Sequence, residues 1–256
     1  MFTSTIALAV LVVFWYMTAL FLTALVRKDN SIADVAWGPG FFLAALAVYW
    51  WQSPPGYLPL VALVLVAVWA VRLAVHILLR NWGRGEDWRY AQWRATWGKW
   101  FIVRSYLQVF LLQGLLLLVV SLPALWMVTF GGPLGWLAIV GVVVWLVGFV
   151  FESVGDYQLT RFLKDPSNYG HVLQTGLWKY SRHPNYFGEI TQWWGIWLMA
   201  LSTPGGWLTV LGPLTITFLI TKVSGIPMLE AKQMQNPAFR EYAARTPVLI
   251  PWLSKK

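Results

Sequence analysis

The chain has 256 residues, of which 58% are hydrophobic, 17% aromatic and only 11% charged. A water-soluble domain of this size cannot bury so much apolar surface, so the composition excludes a soluble globular protein and indicates an integral membrane protein. In such a protein the net charge of +9 reflects orientation and anionic lipid rather than nucleic acid. Cysteine is absent, which excludes disulfides, thiolate catalysis and cysteine-ligated metal.

Hydrophobic runs predict an all-α membrane protein with about seven transmembrane helices. The first run is too long for a removable signal peptide, and we expect it to remain as a helix. Most charges fall in alternate connectors, so the positive-inside rule places the N-terminus outside and the C-terminus in the cytoplasm. We expect a bacterial inner membrane. The predicted helices are 4–26, 34–51, 59–80, 105–130, 134–160, 184–201 and 206–228.

Two other segments have a recognisable pattern. Residues 84–104 interleave Trp with Arg and Lys, which is typical of a segment at the membrane interface. Residues 236–247 resemble a short amphipathic helix that stops at Pro247. No soluble second domain or internal repeat is evident, so we expect 1–256 to form a single transmembrane domain.

Ionisable residues inside the predicted spans are expensive in hydrocarbon, and each is therefore a candidate for function. With the topology above they all fall in the cytoplasmic halves of their helices, and several share a helix face four residues apart. They predict a polar cavity that opens to the cytoplasm. For any single one of these residues, a purely structural role is an equally good interpretation. Arg72, for example, could form an ion pair with Glu152 or Asp156. The residues are Asp34, Arg72, His76, Glu152, Asp156, Glu189 and Lys222.

The stretch 176–195 begins as a basic loop and becomes an apolar helix at Pro184, a residue suited to the first helical turn. Lys179, Arg182 and His183 precede the helix, and Asn185 and Glu189 lie on one of its faces. Cations that lead to a buried amide and acid suit a phosphate-bearing ligand whose other end needs hydrogen bonds. Contact of the cations with lipid phosphates is the alternative.

Other cofactor chemistry is disfavoured by the sequence. Three histidines without HxxxH or HExxH spacing, and without a dense carboxylate cluster, disfavour a catalytic metal, and we predict none. Walker A and G-x-G-x-x-G patterns are also missing, so a soluble nucleotide fold is excluded. Cations that can nevertheless surround nucleotide phosphates are Arg161, Lys164, Lys179, Arg182, Lys222 and, as further candidates, Arg240 and Arg245.

Residues 175–189, Thr-Gly-Leu-Trp-Lys-Tyr-Ser-Arg-His-Pro-Asn-Tyr-Phe-Gly-Glu, resemble the C-terminal signature of the steroid 5-alpha-reductase and sterol reductase superfamily. The whole chain is similar to a bacterial branch of that superfamily with no assigned substrate. The segments that carry this second resemblance are Ser31–Gly38, Trp69–Leu73, Glu86–Tyr90 and Val248–Trp252.

The resemblance implies NADPH bound by the region from about 150 to 256, with the N-terminal helices on the substrate side. Asn185 and Glu189 match residues at the nicotinamide end, Asp156 an acid near the adenosine ribose, and Lys222 a basic phosphate partner. Hydride then passes to an activated carbon–carbon double bond of a lipophilic steroid, terpenoid or fatty-acyl substrate. The predicted cofactor-binding residues are Asp156, Arg161, Lys164, Lys179, Tyr180, Arg182, His183, Asn185, Tyr186, Glu189 and Lys222.

The N-terminal half departs from the steroid-reducing enzymes, which carry a Gln-Glu pair at the start of the second helix and a Tyr in the third. Here Asp34 opens the second helix and Trp69 stands at the Tyr position. Asp34 is therefore the predicted acid, and Arg72 or His76 the predicted carbonyl-polarising group.

Two other functions stay open. Arg-His-Pro-x-Tyr also occurs in isoprenylcysteine and phospholipid methyltransferases, which bind S-adenosylmethionine, although the tail has only Glu230 where those enzymes show paired glutamates. A non-enzymatic lipid-binding protein is the third possibility. Under all three we expect membrane lipids as partners, no nucleic acid and no obligate protein partner.

Overall fold

The computed structural model describes residues 2–253, and this part of the chain is helical, with turns and short loops but no strand. The predicted all-α fold is therefore confirmed. The α-helices are α1 Phe2–Arg27, α2 Ile32–Gln52, α3 Leu58–Asn81, α4 Trp88–Trp97, α5 Phe101–Arg104, α6 Leu112–Val120, α7 Leu122–Phe130, α8 Trp136–Lys164, α9 Pro184–Ala200, α10 Leu211–Phe218, α11 Ile226–Gln233 and α12 Pro237–Arg245.

Within the described residues, 6 helical segments are long and apolar enough to cross a membrane, so the chain is an integral membrane protein with about the predicted number of spans. The segment predicted at 184–201 is α9, whose 17 residues cover about 26 Å, less than a typical hydrocarbon core. The 6 segments are Phe2–Arg27, Ile32–Gln52, Leu58–Asn81, Trp88–Val120, Trp136–Lys164 and Gly206–Gln233.

The segment predicted as one helix at 105–130 is divided. A continuous helical segment of 33 residues, Trp88–Val120, already begins in the Trp-rich interfacial stretch. It ends before Ser121, and α7 starts anew with Pro123 in its first turn, because proline cannot donate the hydrogen bond that would continue the preceding helix.

Two π-helical stretches widen the helices, at Ser105–Leu111 and Leu219–Val223. Apolar periodicity did not predict them, because one extra residue per turn changes the face of later residues without changing composition. The predicted amphipathic tail helix is confirmed as α12, where Asn236 Oδ1 accepts a hydrogen bond from Ala238 N at 3.0 Å and caps the N-terminus.

The chain divides into two compact units. The first contains the described residues up to Trp136 together with Ala200–Gly212. Its helices α2 and α3 pack closely at Gly38, where a Cβ atom would lie 2.9 Å from the Ala70 carbonyl oxygen. Beside this contact Trp69 is buried, and its ring meets Phe41 edge to face at 5.2 Å.

The second unit contains Leu137–Met199 and the described residues from Pro213 onward, and within it α8 and α9 are in close contact. A Cβ at Gly148 would lie 2.6 Å from the Gly188 carbonyl oxygen, and one at Gly195 would lie 2.7 Å from the Gly141 carbonyl oxygen. Glycine recurs at every seventh position, as in Gly141, Gly148 and Gly155, so the two helices touch backbone to backbone along one stripe.

We expect Gly148→Ala to destabilise the protein by about 1–3 kcal/mol, because the added methyl group meets rigid backbone and the helices must separate. The measurement is thermal unfolding in detergent. Gly135→Ala is the matched control, since a Cβ there has its nearest contact at 3.7 Å. Equal unfolding temperatures for the two variants would contradict the backbone contact.

Candidate functional site

Two amide–carboxylate pairs cross from α9 to α8, and we call these four residues the polar seam. Asn185 Nδ2 donates to Asp156 Oδ1 at 2.9 Å. Gln192 Nε2 donates to Glu152 Oε2 in a short hydrogen bond. The acids stand four residues apart on α8, and the close approach of the helices at their glycines allows these short side chains to meet.

Each amide of the polar seam has one atom left over. The Asn185 Oδ1 and Gln192 Oε1 atoms are buried and have no hydrogen-bond partner in the protein. In both pairs the amide turns its NH₂ toward the carboxyl oxygen, which accepts from it. An unsatisfied buried acceptor costs about 1–3 kcal/mol. The polar seam therefore presents acceptors and is chemically suited to a ligand that donates.

Other predicted residues of α9 lie close to this seam in sequence. Glu189 is half-buried and stands one turn beyond Asn185, between the two amides. Tyr186 is also half-buried, and its ring stacks on that of His183 with centroids 5.6 Å apart. The structure thus brings Asp156 and Asn185 into direct contact and places Glu189 on the same helix.

The basic end of the motif is held by a carboxylate from α11. Arg182 is only 8% exposed, and its Nε lies 2.9 Å from Glu230 Oε1 while Nη2 donates to Oε2 at 3.2 Å. His183 Nε2 lies 3.0 Å from the same Oε1. We call Arg182, His183 and Glu230 the clasp. In this arrangement two residues predicted to bind phosphate are engaged with a protein carboxylate.

The C-terminal tail of the chain contacts the loop before α9 and forms further hydrogen bonds with it. Arg182 Nη1 donates to the Ala243 carbonyl at 2.8 Å, and Ser181 Oγ donates to the Leu249 carbonyl at 2.7 Å. Tyr242 donates its hydroxyl to the Trp178 carbonyl. Burial raises the pKa of Tyr242, so this phenol remains a protonated donor. The C-terminal helices therefore fix the loop that precedes Asn185.

The remaining predicted cofactor residues are exposed. The Lys179 ammonium lies 5.8 Å from the centroid of the Tyr180 ring. Because these side chains are exposed, they can contact the phosphates of a ligand or of lipids. They are Arg161, Lys164, Lys179, Tyr180 and Lys222.

In the first unit, Asp34 on α2 binds two neighbours on α4. Its Oδ2 accepts from Arg89 Nη2 at 2.6 Å, and its Oδ1 accepts from the Tyr90 hydroxyl at 2.6 Å. Tyr90 is 2% exposed, and Gln113 Nε2 lies 3.5 Å from its hydroxyl. Of the three predicted catalytic residues, Asp34 therefore contacts a buried phenol and a guanidinium.

Arg72 and His76, the other two, are half-buried on α3, four residues apart. They therefore share one face of α3, as the spacing of four residues predicts. The contacts of Asp34 are with α4 rather than with this pair.

The segment that carries Arg89 and Tyr90 is docked on the start of α2. The Ser31 hydroxyl accepts from Asp87 N at 2.7 Å, and Glu86 Oε1 accepts from Asn30 N at 2.9 Å. Burial acts to raise the pKa of Asp87, but hydrogen bonds and charge from Arg89 outweigh it and hold that pKa below its usual range.

Sequence reasoning missed Arg89, Tyr90 and Glu230 as partners of predicted site residues. Residues 84–104 were interpreted only as an interfacial segment, although Glu86–Tyr90 already stood out as part of the family resemblance. It also missed the pairing of Glu152 with Gln192, since Arg72 was the partner considered for an acid at 152 or 156. Helix spacing identifies residues on one face but does not identify the residue that faces them from another helix.

A model of the family described as protein of unknown function (DUF1295) matches residues 20–246. The 3-oxo-5-alpha-steroid 4-dehydrogenase 1 of Rattus norvegicus is 31% identical over 114 residues, which are 44% of this chain and 40% of that protein. The Mus musculus protein of the same name is 32% identical over 114 residues, 44% of this chain and 41% of that protein. The Homo sapiens protein is 29% identical over 116 residues, 45% and 41% of the two chains.

The match thus spans about two fifths of the length of these relatives. No solved structure matches the chain.

We expect Glu230→Ala to destabilise the protein by about 3–5 kcal/mol, because it leaves the buried Arg182 charge without its carboxylate. Arg182→Ala should cost less, because the half-buried Glu230 keeps its contact with His183. The double variant should cost less than the sum of the two. Thermal unfolding measures all three, with Arg240→Ala, at an exposed arginine on α12, as the control. Strictly additive losses would show that the clasp is not an energetic unit.

We expect the stabilising effect of Asp87 to depend on pH. Its folded-state pKa is depressed, so its contribution is complete above the unfolded pKa of about 4 and is lost as pH falls through the folded value. The unfolding temperature of wild type should therefore exceed that of Asp87→Asn at pH 7 and approach it in acid. A difference that grows as pH falls would contradict this assignment.

Proposed function

Since the chain belongs to the family described as protein of unknown function (DUF1295) and is similar to 3-oxo-5-alpha-steroid 4-dehydrogenases, we propose that it is a membrane reductase. In this proposal it uses NADPH to reduce an activated carbon–carbon double bond of a lipophilic steroid, terpenoid or fatty-acyl substrate. NADPH, when bound, supplies the hydride.

The observation that carries the proposal is the Asn185–Asp156 pair. Asp156 holds the Asn185 amide in one orientation, and the buried Oδ1 then lacks a donor. A nicotinamide carboxamide bears such a donor in its NH₂ group, and Glu189 one turn further offers a second acceptor. Residues that are fixed before the ligand arrives bind it without further ordering.

The phosphate end of the cofactor needs cations. In the proposal the exposed Arg161, Lys164, Lys179 and Lys222 meet the phosphates directly, and Tyr180 and Tyr186 offer ring faces and hydroxyls. Arg182 and His183 act by positioning, because Glu230 already engages them and they hold the loop before Asn185.

For the substrate side we propose Asp34, Arg72 and His76, and we add Tyr90. Arg89 and Tyr90 both donate to Asp34, which fixes the carboxyl group and the direction of the phenol hydrogen. Arg72 and His76 supply N–H donors that can bind a carbonyl oxygen and stabilise the charge that develops on it during reduction.

The proposal includes a place in the cell. The N-terminus lies outside and the C-terminus in the cytoplasm of a bacterial inner membrane, with residues 1–256 as a single transmembrane domain. Substrate then enters from the bilayer, and the basic loops face cytoplasmic nucleotide. A methyltransferase remains the competing function, because carboxylates and amide oxygens also suit the ammonium group of S-adenosylmethionine.

We expect NADPH to raise the unfolding temperature of the detergent-purified protein, since a ligand at 100 times its Kd stabilises the folded state by about 2.7 kcal/mol. Asn185→Ala and Glu189→Ala should fold but lose most of this rise. Glu241→Ala, at an exposed glutamate on α12, should retain it.

The same measurement separates the candidate functions. A rise with S-adenosylmethionine alone would replace the reductase by a methyltransferase. No rise with either nucleotide would favour a non-enzymatic lipid-binding protein.

A further inference from the structure

The second pair of the polar seam, Glu152 with Gln192, plays no part in the contacts proposed above. Both residues are almost fully buried, at 2% and 1% exposure. Gln192 Nε2 donates to Glu152 Oε2 and makes a longer contact of 3.4 Å with the Gly188 carbonyl. The NH₂ group is therefore committed to the protein, while Oε1 has no partner.

Packing fixes this arrangement. A Cβ at Gly148 would lie 2.7 Å from Gln192 N and 2.8 Å from Gln192 Cγ, so the side chain rests directly on the α8 backbone. Gly188 in turn abuts the backbone nitrogen of Glu152. Because the backbones are in contact, the amide is held close to its carboxylate and is not easily turned to a new partner.

The position of Gln192 differs from that of Asn185 along the helix. The two stand seven residues apart on α9, which is two turns or about 10 Å, with Glu189 between them. A single carboxamide cannot span that distance. The helix therefore presents two separate amide acceptors, each fixed by an acid of α8.

We propose that Gln192, held by Glu152, accepts a hydrogen bond from an N–H or O–H group of the bound ligand and is a second recognition point of the site. This proposal rests on the proposed reductase function. An acceptor at this position disfavours a carbonyl or ether oxygen, since two acceptors facing each other leave both unsatisfied. The donor is a hydroxyl on the lipophilic substrate, because the proposed function already places the nicotinamide carboxamide against Asn185.

The experiment compares ligands that differ only in the donor. For the cofactor the probes are NADPH and its 3-acetylpyridine analogue, in which a methyl ketone replaces the carboxamide and removes the N–H. For the substrate they are two lipid enones that carry either a hydroxyl or a ketone far from the double bond. Kd is measured by tryptophan fluorescence and kcat/KM by NADPH oxidation, on the full-length protein in detergent.

Two variants keep the test independent of folding. Gln192→Leu removes the acceptor together with the Nε2 donor to Glu152. The double variant Glu152→Leu with Gln192→Leu removes both members of this pair. Gln52→Leu is the matched control, because Gln52 binds the Thr5 hydroxyl at the far end of α2 from Asp34.

We expect the Gln192 variants to weaken binding of the donor-bearing ligand about tenfold and to leave its donor-free counterpart unchanged. Loss confined to the hydroxylated enone supports the inference, whereas loss confined to NADPH against its analogue would place the carboxamide at Gln192 and overturn its assignment to Asn185. Equal effects on both members of each pair would overturn the inference and leave the proposed function intact. Wild-type protein that binds no NADPH would overturn the proposed function and this inference with it.

Discussion

The backbone contact between α8 and α9 is the constraint on which the candidate site depends. Glycines at Gly148 and Gly188 bring the two helices so close that no Cβ atom fits between them. At that separation a short Asp or Glu on one helix reaches an Asn or Gln on the other. Larger residues in the stripe would move the helices apart and break the two amide–carboxylate hydrogen bonds. The amide–carboxylate hydrogen bonds between α8 and α9 therefore depend on the close packing of their backbones.

The fold class was predictable because hydrocarbon imposes a strong rule, in which every backbone group must be satisfied within a long apolar helix. Details that depend on single turns were not predictable. The division of the span at Ser121 follows from Pro123, which was visible in the sequence but lay inside an unbroken apolar run. The π-helical stretch Leu219–Val223 leaves no mark in composition or periodicity. The approximate number and position of the membrane spans thus follow from hydropathy, whereas helix continuity follows from local backbone geometry.

The candidate site was predictable to a similar depth. Spacing of four residues correctly placed Asn185 and Glu189 on one helix, and the cost of intramembrane charge drew attention to Asp34 and Asp156. The partner of each group was not predictable, since Tyr90 is 56 residues from Asp34 in the chain. Such pairings are decided by how helices dock. A motif therefore identifies the groups that need partners, and the fold decides which partners they obtain.

The unsatisfied atoms of the polar seam are hydrogen-bond acceptors. This fact limits the possible ligands more than the net charge of the chain does. Although the chain is strongly basic, the polar seam contains two carboxylates and two amide oxygens and no cation. Arg182, the buried cation nearest to it in sequence, is bound to Glu230. In the proposed function the phosphates therefore lie with the exposed lysines and arginines, and the amide oxygens of the seam accept from donors of the ligand. A ligand that satisfies both must be bipolar, with anionic groups at one end and hydrogen-bond donors at the other. A dinucleotide that ends in a carboxamide has this distribution, and a simple phospholipid with a choline headgroup does not, because its quaternary ammonium has no N–H to donate.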